Sequence, residues 1–283
     1  MGCISSKSTE SNDSQNTQSN SEFRYVDGRR FHNVENSAYP LPNDDDELDR
    51  LHSQHFFVRY LFQSNFSAPI GHLLSNPETK ILDIGKLTYV HNKITTTEFV
   101  IRNVLEGLPF GDDSFDFVFQ RFLFIGYPKE KWPFVINEIV RVLKPGGFLE
   151  LCEPSQMYNI GPATKRLVDG EMEIFEQRNL DCRIHLKLED YLKNQGQLEN
   201  IKKVAKEIHH GIKSNNINLS KVAINNFVTA YTSFKSNLLK TLQISEDEFN
   251  ELAKVSEKEL FDFDSYFHFI RFYASKVVNN NKN

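Results

Sequence analysis

The stretch that most restricts the fold runs from position 132 to position 152. Trp132, Val135, Ile136, Ile139, Val140 and Leu143 recur at helical spacing and give one apolar face to an amphipathic helix. Lys144, Pro145, Gly146 and Gly147 then stop it, in the order of cation, proline and glycine that a helix C-terminus favours. The run F-L-E-L-C at 148–152 follows at once and predicts a strand. Upstream, K-I-L-D-I at 80–84 predicts a buried strand closed by Gly85, and E-F-V-I-R-N-V at 98–104 predicts another. The turn G-D-D at 111–113 leads into a further strand, F-D-F-V-F at 115–119. Strands alternating with helices imply a parallel sheet with helices packed on its faces.

The flanks are more helical. Leu48, Leu51, His55, Val58 and Phe62 predict a helix beginning near Glu47, with Asp44, Asp45 and Asp46 placed to suit the positive end of its dipole. His55 on that face reads as a packed histidine, not a ligand. Pro162 opens a helix carrying Leu167, Val168, Met172 and Phe175, and residues 201–208 read as a strand. Ile224, Phe227, Val228, Tyr231, Phe234 and Leu238 mark a long helix, and Ser245 with Glu248 forms a capping box ahead of Phe249 and Leu252. Periodicity leaves 266–274 open between helix and strand. The expected organisation is a solvated tether over 1–22, an irregular arm over 23–46 followed by helices to 79, and a main domain over 80–279 with a helical insertion around 212–262.

Net charge is −5, so no broad cationic surface invites a nucleic acid. The three cysteines, Cys3, Cys152 and Cys182, have neither zinc-site nor disulfide-framework spacing, which suits a reducing, cytoplasmic setting. The opening M-G-C-I-S-S-K fits the myristoylation pattern at Gly2, with Cys3 placed for a palmitoyl chain, so membrane anchoring through Gly2 and Cys3 is the expectation.

One ordered series of motifs goes further. L-D-I-G at 82–85 is followed by N-V-L-E-G-L-P-F at 103–110, D-D-S-F-D-F-V at 112–118, Gln120-Arg121, and V-L-K-P-G-G-F-L-E at 142–150. The series resembles the class I S-adenosylmethionine (SAM) methyltransferases of the type 11 group, in particular their fungal branch. Y-P-L-P-N-D at 39–44, E-L-D-R-L-H-S-Q-H at 47–55, N-I-G-P-A-T-K-R-L at 159–167 and G-Q-L-E-N-I at 196–201 extend the resemblance. It implies a Rossmann-like α/β sheet of strand order 3-2-1-4-5-7-6, with 266–274 as the antiparallel last strand. It also implies SAM as cofactor and a small-molecule acceptor. By the same resemblance, Asp83 and Gly85 end the first strand, Asn103, Val104 and Leu105 face the adenine, and Gln120 and Arg121 face the methionine part of SAM and the substrate. Methyl transfer depends chiefly on alignment, so no fixed catalytic motif is expected and the catalytic residues are unknown. Glu106, Asp112, Asp113 and Asp116 read as turn and strand-end residues, and His209 and His210 as solvated histidines.

The chain departs from the family at one place. Where a glycine loop, a helix and a second strand ending in an acid are expected, only 14 residues run from Gly85 to Glu98. A parallel crossover with its helix takes about 30 residues as a whole unit, so the usual segment does not fit. The glycine loop and the ribose-binding acid are missing, and Glu98 opens a strand where the acid should close one. The sheet is therefore expected truncated, without its first helix and second strand. Either the protein is a degenerate relative serving as a non-catalytic scaffold, or the coding sequence lacks an exon. A sheet that loses the strand beside its central one also exposes an edge.

Overall fold

The computed structural model describes residues 23–26, 28–33, 39–85, 100, 102–214 and 216–278. The tether with Gly2 and Cys3, the stretch 86–99 and Ile101 lie outside the described residues. The expected truncation of the sheet falls there too.

The arm read as irregular contains a hairpin, β1 (Phe23–Val26) against β2 (Arg29–His32), turning at Gly28 with φ +76°. The sequence reading missed it because four-residue strands give too short an alternation to register. Arg29 pairs with Asp44, which also caps α1 (Asp45–Phe62) by accepting the Glu47 amide at 3.2 Å. Asp44 thus serves as both N-cap and anchor for the hairpin. A single helical turn, α2 (Gly71–Leu74), leads to the sheet.

The sheet is built from β3 (Ile81–Ile84), β4 (Phe115–Arg121) and β5 (Leu143–Pro154), which run parallel. α3 (Trp132–Val142) links β4 to β5. β6 (Leu198–His209) and β7 (Tyr266–Lys276) complete the order β3-β4-β5-β7-β6, with β7 antiparallel to both its neighbours. Among the described residues these strands take the places 1-4-5-7-6 of the expected order. β5 starts earlier than predicted because the Lys144–Gly147 detour stays in the strand as a register shift opposite β4.

One predicted strand is absent where it can be seen. Val100, Arg102 and Asn103 are in no strand, and Val104–Glu106 forms one 3-10 turn. The Asn103 side-chain oxygen accepts the Leu105 amide at 3.1 Å and Gly107 takes φ +95°, so local turn chemistry overrides the β-branched composition.

Each face of the sheet has its own core. Leu82, Ile84, Val118, Leu149, Leu151, Ile270 and Phe272 pack against α3 and α5 (Leu188–Asn194). On the opposite face, Phe117 and Phe119 pack against Phe66, Ala68 and Ile70, and Phe269 packs against Phe57 and Val58 of α1. Val135, Ile139 and Val140 of α3 are exposed by 1% or less, and each such burial is worth about 1.5–3 kcal/mol. A helical layer of α4 (Pro162–Gln177), α6 (Ile217–Leu242) and α7 (Glu246–Asp262) adds a third core. The capping box of α7 forms as predicted, with Ser245 and Glu248 exchanging both hydrogen bonds.

Candidate functional site

Ligands of open α/β sheets bind beyond the carboxyl ends of the parallel strands. In this chain those ends are Ile84 and Gly85 of β3, Arg121 of β4, and Glu153 and Pro154 of β5. Gly85 adopts φ +134°, a region that side chains rarely enter, and the Leu123 side chain lies 3.6 Å from where its Cβ would stand. Val104 and Leu105 pack into the same core as Ile84 and Leu123. Their turn is braced from α3: Glu138 accepts the Leu108 amide at 2.8 Å, and Arg141 donates to the carbonyls of Leu108 (2.9 Å) and Phe110 (2.8 Å). The Arg141 guanidinium beside Glu138 holds that carboxyl below its ordinary range.

Gln120 is fully buried on the α3 face. Its Oε1 accepts the Tyr127 hydroxyl at 3.2 Å, while its buried Nε2 lies beside the Glu153 carboxyl and favours its charged form without reaching normal hydrogen-bond geometry. Arg121 points to the other face, where its Nη1 donates to Nδ1 of His55 at 3.2 Å and its guanidinium lies over the Phe122 ring. Burial, with help from Arg121, pushes His55 down to about 4, so the ring is neutral and acts as acceptor. Burial also lowers Arg121 itself. Asp83 shares the Arg121 face, since Asp83 pairs with Phe119 in the β3–β4 register. The structure therefore brings Gly85, Val104, Leu105 and Gln120 together on one side and places Asp83 and Arg121 on the other. Asn103 caps the turn beneath Leu105.

The family profile described as "Methyltransferase domain" matches residues 75–151, which span β3, the Val104–Glu106 turn, β4, α3 and most of β5. The chain carries a class I methyltransferase domain of the type 11 group. N-methyltransferase verN of Clonostachys rogersoniana is 28% identical over 156 residues, 45% of this chain and 54% of that one. Methyltransferase pytC of Aspergillus terreus is 31% identical over 157 residues, 46% of each. The chain thus spans about half the length of the curated relatives it matches. Among solved structures, a SAM-dependent methyltransferase of Methanosarcina mazei is 20% identical with a TM-score of 0.36, covering 64% of this chain and 68% of that one. A phosphoethanolamine N-methyltransferase of Haemonchus contortus in complex with S-adenosylhomocysteine (SAH) is 18% identical with a TM-score of 0.37, covering 62% and 36%.

The methyltransferase family uses SAM, and the described residues fit its adenine end. Val104 and Leu105 offer apolar surface, and Gly85 leaves backbone open. The stretch 86–99, where the family's glycine loop would begin, lies outside the described set.

Two further acids line this methyltransferase domain that sequence reasoning passed over. Glu150 and Glu153 are both fully buried on β5. Their signal was present, since L-E-L-C-E-P places acids inside an otherwise apolar strand. His209 and His210 need correction as well. His210 is fully buried, with its Nδ1 2.9 Å from the Ser265 carbonyl oxygen, and His209 lies between Asp264 (2.9 Å) and Glu207 (2.7 Å). His210 is not solvated and His209 is half-buried, because β6 pairs with β7 as far as His209 and draws the two rings against Phe267 and Tyr266. Glu106, Asp112, Asp113 and Asp116 occupy turns and strand starts as expected. Asp112 pairs with Arg141, Asp113 with Lys276 and Asp116 with Lys144.

Proposed function

We propose that the protein transfers a methyl group from SAM to a small-molecule acceptor. The observation that carries this reading is the meeting of Gly85, Val104–Leu105 and Leu123 at the carboxyl ends of parallel strands, within the segment matched to the methyltransferase family. The cofactor supplies an electrophilic methyl on a sulfonium. The chain's part is to bind the adenine against Val104 and Leu105, to leave room at Gly85 and to exclude water with the apolar β4-exit loop. Calorimetric titration of the whole protein with SAH tests it. Micromolar binding is the expected result, and no heat at millimolar ligand would sink the reading.

A second reading is favoured by the short stretch between Gly85 and Glu98: a non-catalytic scaffold that keeps the methyltransferase shell and is held at a membrane surface by acylation of Gly2 and Cys3. Absent SAH binding, together with a lipid-modified N-terminal peptide from the native source in mass spectrometry, would favour it. An unmodified Gly2 would remove the membrane part. Sequencing the transcript across the codons for 85–98 distinguishes a true short segment from a missing exon.

A further inference from the structure

Glu153 is fully buried at the carboxyl end of β5, yet among the described residues no cation stands at bonding distance. Its Oε1 accepts the Leu123 amide and its Oε2 the Phe124 amide, each at 3.1 Å. Its remaining neighbours are Gln120 and, at longer range, Arg121. Buried carboxyls are normally offset by a counter-ion, and one left without it commonly marks a site. The two amides it accepts belong to a loop that needs restraint. Phe122 takes φ +56°, a costly conformation for an aromatic residue, and its amide donates to the Cys152 carbonyl at 3.0 Å. The next residue, Leu123, is the one that stands beside Gly85.

We propose that Glu153 is the positioning residue of the methyl-donor site: its carboxylate fixes the Leu123 and Phe124 amides, so that Leu123 floors the crevice beside Gly85, and the Gln120 carboxamide is held against the same carboxyl. This rests on the methyl-transfer reading above and assigns one of its supports. Glu153 touches no reacting atom. It acts through the peptide it holds, as a second layer of hydrogen bonds orients a functional group.

Burial pushes the Glu153 carboxyl up to about 8, against the pull of the two amides. On its own face Gln120 of β4, Tyr127 of the loop and Ile270 of β7 surround it, while Arg121, Cys152 and Arg271 lie across the sheet on the other face. Burial moves the Cys152 thiol up to about 12 and the Tyr127 phenol well above its ordinary value, so neither titrates near 8.

The test uses the full chain and its Glu153→Gln variant, with SAH as the probe. Calorimetry is run on either side of pH 8, and hydrogen exchange is read at the Leu123 and Phe124 amides without ligand. The carboxamide turns an N–H toward one of the two amides, as the protonated acid also does below pH 8, so the expected loss of SAH affinity, about 10- to 100-fold, is read above that pH. Wild-type affinity should rise relative to the variant as pH passes about 8, and both amides should exchange faster in the variant. Leu123→Ala should also weaken SAH, and the double variant should lose less than the product of the two single losses. Affinity within twofold of wild type, or strictly multiplicative losses, overturns the proposal. Where the Gln variant does not fold, Glu153→Asp, whose carboxylate is too short to reach both amides, takes its place with the same expectations. If wild type binds no SAH, the methyl-transfer reading fails, and the exchange rates alone judge whether Glu153 holds the loop.

Discussion

Glu150 and Glu153 lie on one strand, both fully buried, and each accepts two consecutive backbone amides from a loop on its own face of the sheet. Glu150 takes the amides of Ser67 and Ala68, both at 2.7 Å, and has Arg271 as an ion-pair partner at 3.4 Å. Arg271 in turn donates to the Ser67 hydroxyl (3.3 Å) and the Ser64 carbonyl (3.2 Å), and its guanidinium lies 3.8 Å over the Phe62 ring. Glu153 holds the Leu123 and Phe124 amides in the same way, and among the described residues it has no such cation. One device thus serves two ends. With a counter-ion it fastens the N-terminal segment to the sheet. Without one it sets a loop at the mouth of the site and carries a carboxyl that titrates near neutral pH.

The largest effect should come from breaking the paired member. Arg271→Met keeps the apolar stem but leaves Glu150 buried and uncompensated, at a cost of about 3–5 kcal/mol. Denaturant unfolding should show this as a lower midpoint with an unchanged slope. A loss below about 1 kcal/mol would mean that the two amides suffice for Glu150, and the contrast with Glu153 would collapse.

The unpaired member predicts a pH effect of comparable size over its whole window. Burial raises the Glu153 carboxyl from 4.5 to about 8. Below the unfolded value the proton is bound in both states and the group is neutral toward stability. Between the two values the unfolded chain releases the proton while the folded one keeps it. Stability therefore falls as pH rises, by up to about 1.4 kcal/mol per pH unit, and the deficit levels off above the folded value. Glu153→Gln lacks this slope, so its stability should gain on wild type steadily from about pH 5 to about pH 8. Unfolding curves of the two proteins that shift in parallel across that window would show that Glu153 does not titrate as described.

The sequence announced the frame of this comparison but not its content. The apolar run at 148–152 and the Lys-Pro-Gly-Gly stop before it located β5, and the motif order placed β7 beside it as the antiparallel partner. The first of these is local chemistry; the place of β7 came from the resemblance, since periodicity alone left 266–274 open. The roles of Glu150 and Glu153 depend on which loop each face receives, and that is fixed by residues at positions 64–68 and 122–124 and by a cation on β7. An acid inside L-E-L-C-E-P and an arginine inside F-H-F-I-R-F-Y both stand out as charges in buried strands, and pairing them needed the β5–β7 register, where Cys152 lies opposite Arg271. The division of the predicted site follows from the same alternation: neighbouring residues such as Gln120 and Arg121 leave a strand on opposite faces. The end of the predicted strand at 102–104 shows the opposite limit, where one asparagine side chain and a glycine of positive φ impose a turn.

The smallest predicted effect asks whether Glu153 or the network around it holds the loop. Tyr127 donates to Gln120 Oε1 and is itself packed edge-on against Trp132 at 5.2 Å, so Tyr127→Phe keeps the packing and deletes one buried hydrogen bond. The expected cost is about 0.5–1.5 kcal/mol, since the hydroxyl is removed while Gln120 Oε1 is left without its donor. The amides of Leu123 and Phe124 keep their acceptor, so their hydrogen exchange and the affinity for SAH should both stay within about twofold of wild type. If the variant instead loosened those amides as much as Glu153→Gln does, the restraint would belong to the Tyr127–Gln120 pair acting through the buried carboxamide. Glu153 would then resemble Glu150 as a structural anchor, and its missing counter-ion would have lost its functional meaning.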